Sequence, residues 1–167
     1  MTAPGPTTVD RQLLQIYLTD HLAGATGAMQ RLDRMRESSK GLPIHNEVVQ
    51  LAEHIHADRG RLIALLDALD LGRRSHKEGL ARLGELVGRL KLNGRLSTQS
   101  PLSPLLELEM LRGGIIGKLS LWQTLRALAA DLGLDSEEMA ALERAAVEQL
   151  EVVARCHQTL AGDTFRS

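Results

Sequence analysis

Apolar residues recur in alternating steps of three and four along nearly the whole chain, a period that fits the α-helix and not the strand. One run, over residues 8–38, carries the stripe Leu14, Leu18, His21, Ala25, Ala28, Leu32 and Met35. A second, over residues 44–71, reads Val48, Ala52, Ile55, Arg59, Leu62, Leu66 and Leu69. A third, over residues 103–132, reads Leu108, Leu111, Ile115, Leu119, Trp122, Leu125 and Ala129. A fourth begins at Asp135 or Ser136 and reads Met139, Leu142, Ala146, Leu150, Val153, His157 and Leu160. Each predicts a helix of roughly 25 to 30 residues with one apolar face. Tyr17, Trp122 and Phe165 are the only aromatic residues. The core is therefore built from aliphatic side chains, which suits packed helices better than a β-sandwich.

Breaks in the stripes set the boundaries. Thr7 or Thr8 suits the first N-cap, because a hydroxyl there accepts from an unpaired helical N–H. Gly41 and Pro43 end the first helix, and Gly72 is placed to end the second. Ser75 and Glu78 form a capping box for a short helix over residues 76–90, and "KLNGRLSTQSPLS" reads as loop. Ser103 as N-cap, Pro104 as first helical residue, and Glu107 and Glu109 open the third helix. Short loops make the first and second helices, and the third and fourth, antiparallel neighbours. The middle connection is long enough to run the length of the bundle. The prediction is an all-α fold: a four-helix bundle with a long crossover carrying an extra short helix. Residues 8–167 form a single domain behind a flexible tail, residues 1–7.

Acids and bases number 21 and 20 and are mixed along the chain, so no patch is gathered for nucleic acid or an anionic membrane. A single cysteine, Cys156, excludes an internal disulfide and fits a reducing compartment. "MTAPGPTTVD" lacks the basic and apolar regions of a signal peptide, and no uncharged apolar stretch approaches a membrane span. A cytoplasmic protein is expected.

With this architecture, the Glu53-x-x-His56 pair resembles the ferritin-like superfamily. "YLTDHLAGATGA", "GRLKLNGRLSTQSPLS" and "LELEMLRGGIIGKLSLWQTL" resemble more narrowly a group of bacterial ferritin-like proteins, from Leu14 onward. The resemblance implies a bundle and a metal pattern: a carboxylate from each of two helices and Glu-x-x-His from each of the others. Glu53 and His56 match it. The first helix offers Asp20 or His21. The third has "GGIIGK", with Lys118 and no carboxylate. The fourth has Glu148 and Glu151 three apart, and its only histidine is His157. Half of the pattern is intact and half is broken.

Two readings of the polar residues on the apolar stripes follow. Glu53, His56 and His157, with His21, would form a reduced metal site suited to iron, manganese or zinc. Alternatively, Arg59 and Lys118 pair with Glu148, Asp20 or Glu53 in a charge-compensated interior, and their positive charge opposes a metal ion. Cys156 reads as a small buried hydrophobe, Trp122 as a core plug and Tyr17 as a contact of His21, four residues on. Gly24, Gly27, Gly113, Gly114 and Gly117 need a reason, since each costs about 1 kcal/mol against alanine inside a helix. Close crossing of the first and third helices is the simplest. A small cavity or a partner surface is the alternative.

The function expected from these features is non-catalytic. It is a ferritin-like bundle without a complete di-metal site, acting as a homodimer or through another protein, with no cofactor. A metal-binding oxidoreductase or storage protein competes with it, and a small-molecule carrier using a glycine-lined cavity is a third reading.

Overall fold

The computed structural model describes residues 8–71, 100 and 102–166. Among these the chain is all-helical, with no strand. There are four long helices, α1 (Arg11–Ser38), α2 (His45–Ala68), α3 (Ser103–Ala127) and α5 (Ser136–Thr164), with a short turn, α4 (Ala129–Leu132), between the last two. The expected tail, Thr7, Gly72, the Ser75–Glu78 box and the short helix over residues 76–90 lie outside the described residues.

The helix ends follow local chemistry, with corrections to the sequence reading. Asp10, rather than Thr7 or Thr8, caps α1: its carboxylate accepts from the backbone N–H groups of Gln12 (2.9 Å) and Leu13 (3.0 Å). A carboxylate there is also favoured by the helix dipole. Gly41 takes the left-handed conformation after α1, at φ +87°. The second helix stops at Ala68, three residues early, because Asp70 enters the left-handed region at φ +53° and Leu71 N–H turns back to Leu66 C=O at 2.8 Å. That closure supplies the carbonyl partner a glycine cap would have supplied. Ser103 is the first residue of α3 and not its cap; Leu102 flanks it without a side-chain bond. The third helix breaks at Leu128, and Gly133, at φ +65°, ends the α4 turn. Asp135 caps α5 by accepting from Glu137 (2.8 Å) and Glu138 (3.4 Å).

Side-chain contacts fix the directions. Ser39 bonds His45 at one end of α1–α2, while Arg11 and Gln15 donate to the carbonyls of Leu69 and Leu71 at the other, so the pair is antiparallel. Tyr17 meets Thr124, and Arg31 pairs with Glu107, so α3 also runs against α1. Lys118–Gln149 and Arg126–Glu143 set α5 against α3. Around the bundle the order is therefore α2, α1, α3, α5, and α2 meets α5 only lightly. Leu71 lies beside the start of α1 and Glu107 beside its end. The described residues flanking positions 72–99 thus sit at opposite ends of the bundle.

The core is aliphatic, as expected, with Leu18, Leu32, Val48, Leu62, Leu108, Leu125, Met139 and Val153 almost fully buried and Trp122 the largest side chain inside. It is uneven along its length. Between Leu18 and Leu32 only Ala23 of α1 is buried, and α3 has a matching gap between Ile115 and Leu121. Mid-bundle, the α1–α3 side lacks filling side chains. The test of the helix start is Asp10→Ala, which should lower stability by about 1 kcal/mol in urea unfolding, with Thr8→Ala near zero. The reverse ranking would restore the threonine cap.

Candidate functional site

At the level of that gap, three side chains from three helices meet. Lys118 of α3 donates to the Asp58 carboxylate of α2 and to Gln149 Oε1 of α5, and Gln149 Nε2 donates to Asp58 at 3.0 Å. The triangle is closed: the ammonium, the carboxylate and the amide each have two partners within it. Asp58 and Lys118 side chains are 13% exposed and Gln149 is 4% exposed. Desolvation holds the Lys118 pKa below the ordinary lysine range, and the adjacent Asp58 charge opposes that shift. Burying either charge alone would be costly; paired, and each bonded to Gln149 as well, they tie three helices together.

Of the residues singled out in sequence, Lys118 belongs to this cluster. Its partners are Asp58 and Gln149, not Glu148, Asp20 or Glu53. Glu148 and Glu53 are exposed. Arg59 is half-buried and bonds Thr26 Oγ1 through Nε at 3.1 Å. Both missed partners carried a signal. Asp58 lies three after Ile55 and four before Leu62, and Gln149 lies three after Ala146 and four before Val153, so both sit on core faces.

The metal donors do not come together. Glu53 and His56 are exposed, and His56 lies 3.6 Å from Asp33. His157 pairs with Glu109 at 3.1 Å. His21 stands edge-on to Tyr17, with ring centroids 4.6 Å apart, as the four-residue spacing suggested. Burial lowers the His21 pKa, against the opposing pull of Asp20. Among the described residues no three His, Cys, Asp or Glu side chains gather closely enough to hold a metal ion. The di-metal set that the resemblance implied therefore does not fit this interior. Cys156 is buried, and burial raises its thiol pKa to about 11, so it is protonated at neutral pH and packs as a hydrophobe.

Beside the cluster lies a half-open pocket of about 310 Å³, bounded by α1, α2 and α3. Its walls are mainly apolar: Ala25, Ala28, Ile55, Leu62, Leu111, Ile115, Leu121 and Trp122, with Tyr17 at one end. Asp20, His21, Asp58, Arg59 and Lys118 are its polar groups. Gly24, Gly114 and Gly117 line it, and a Cβ built on any of the five mid-helix glycines would meet nothing within 4 Å. The expected close crossing of backbones is thus absent; the glycines leave space. The indole N–H of Trp122 is buried without a hydrogen-bond partner. A second cleft of about 290 Å³ lies between α2 and α5, and Asp58 borders both.

No protein-family model matches the chain, and no curated protein or solved structure does. Among the described residues no helix is long and apolar enough to cross a membrane.

Asp58→Asn should leave the Lys118 ammonium hydrogen-bonded but without a counter-charge and lower stability by about 3 kcal/mol in urea unfolding. Adding Lys118→Met should recover most of that loss. A double variant as unstable as the single one would deny that the two charges depend on each other.

Proposed function

We propose that this chain is a non-catalytic, ferritin-like bundle that works as a binding protein, taking up a small and mostly apolar molecule in the pocket between α1, α2 and α3. The observation that carries the reading is the glycine space. Five glycines weaken two helices, and no neighbouring atom stands where their Cβ atoms would go. What they leave at Gly24 and Gly114, which are exposed, and at half-buried Gly117 is open volume, and the pocket they line sits within the usual size range of small-molecule sites, at its lower end. Apolar walls with a few polar groups are the usual make-up of such sites.

Support for the family reading comes from helix direction. The first and last long helices run one way, α2 and α3 the other, and the middle connection joins opposite ends, which is the one-crossover order of ferritin-like bundles. The metal-binding alternative draws no support from Glu53, His56, His157 and His21, which stand apart. A further contact role has one observation in its favour: Leu13, Ile16, Met110 and Ile116 on α1 and α3 are exposed, and they suit a second copy of the chain or another protein.

Two kinds of glycine variant test the pocket reading. Gly24→Ala and Gly117→Ala should each raise stability by about 0.5–1 kcal/mol, since helix propensity improves without a clash. Gly117→Leu should fill the space and abolish calorimetric binding of phenylbutanol, a neutral probe of suitable size, which should also perturb the fluorescence of Trp122. Unchanged binding by Gly117→Leu would place the probe elsewhere.

A further inference from the structure

Resting on that pocket, we propose that its ligand is a small apolar carboxylate, with the carboxylate held by the Arg59 guanidinium and the hydrocarbon packed against Trp122. The pocket has donors to spare. The Arg59 side chain is oriented by one bond, from Nε to Thr26 Oγ1, and Thr26 in turn donates to Leu22 C=O at 2.9 Å. A guanidinium has five N–H donors in a planar fork, so four remain for a ligand once Nε is used. Arg31 and Arg61 each pair with a glutamate, and Lys118 with Asp58, but no carboxylate of the described residues pairs with Arg59. Trp122 forms part of the same apolar wall. A carboxylate brings two acceptor oxygens in the geometry that matches an arginine fork.

The other charged groups at the pocket narrow the choice. Asp58 is committed to Lys118 and Gln149. Asp20 lies beside His21 and would suit an amine, but an amine would leave the Arg59 guanidinium without an acceptor. The volume of about 310 Å³ corresponds to about ten waters of bulk space, so the ligand has about a dozen heavy atoms. Leu62, Leu111 and Ile115 give its hydrocarbon an apolar bed.

Three probes with one skeleton separate the possibilities: phenylbutyrate, phenylbutanol and phenylbutylamine, titrated calorimetrically into the full chain. Phenylbutyrate should bind about tenfold or more tighter than the alcohol, the range of a charge-assisted hydrogen bond. Arg59→Gln should bring the acid to the level of the alcohol without changing the alcohol's affinity, and Arg59→Lys should retain part of the preference. Equal affinity for acid and alcohol, or preference for the amine, overturns this assignment and leaves the pocket reading intact. Failure of all three to bind overturns the pocket reading and this proposal with it. Should Arg59→Gln fail to fold, the ratio of acid to alcohol on the unaltered chain decides alone.

Discussion

An ammonium group taken out of water must be compensated on the spot, and Lys118 is the group around which the middle of this bundle is arranged. Its two acceptors come from α2 and α5, while its own backbone belongs to α3, so one buried charge ties three of the four long helices. The requirement is geometric as much as energetic. Asp58 and Gln149 must also meet each other, which permits little sliding of α2 past α5 although those two helices touch lightly elsewhere. Buried ion pairs are weak sources of net stability but effective in fixing register. That is the role the Asp58–Lys118–Gln149 triangle has here.

The same level of the bundle is where the α1–α3 side opens. Aliphatic layers pack above and below Lys118, and the triangle ties α2, α3 and α5 without reaching α1. On the α1 side of that level the chain places glycine and alanine in place of leucine. A pocket bordered by Arg59, His21 and Trp122 results. Helices α1 and α3 keep their spacing because they are held at other levels, by Tyr17 with Thr124 and by Arg31 with Glu107. The middle of the bundle thus holds a buried lysine on one side and open volume on the other.

Much of the fold was legible in the sequence because helical periodicity is a local signal. The stripes through Leu18, Leu32, Val48, Leu62, Leu108, Leu125 and Val153 pick out residues that are indeed buried, and Gly41 and Asp135 mark helix ends where they were expected. The site was less legible, since it depends on rotation of whole helices. One position of rotation, about 100° on a helix, separates Glu148 from Gln149 and turns an expected carboxylate into an amide. Glu53 and His56 keep metal-ligand spacing, yet their face of α2 points to solvent; spacing specifies a shared face and not which way it turns. The glycines were read as contact points because close packing is the commonest reason for glycine in a helix. Only the positions of surrounding atoms distinguish a backbone crossing from a cavity.

Xenon binding followed by nuclear magnetic resonance tests the central claim most directly, because xenon enters apolar cavities that are open and ignores packed backbone. Under xenon pressure, saturable shifts should be confined to the amides of Gly24, Gly114 and Gly117 and to the indole N–H of Trp122. Absence of saturable shifts there, or shifts confined to another part of the bundle, would mean that the two glycine-bearing helices are pressed together and that the volume beside Lys118 does not exist.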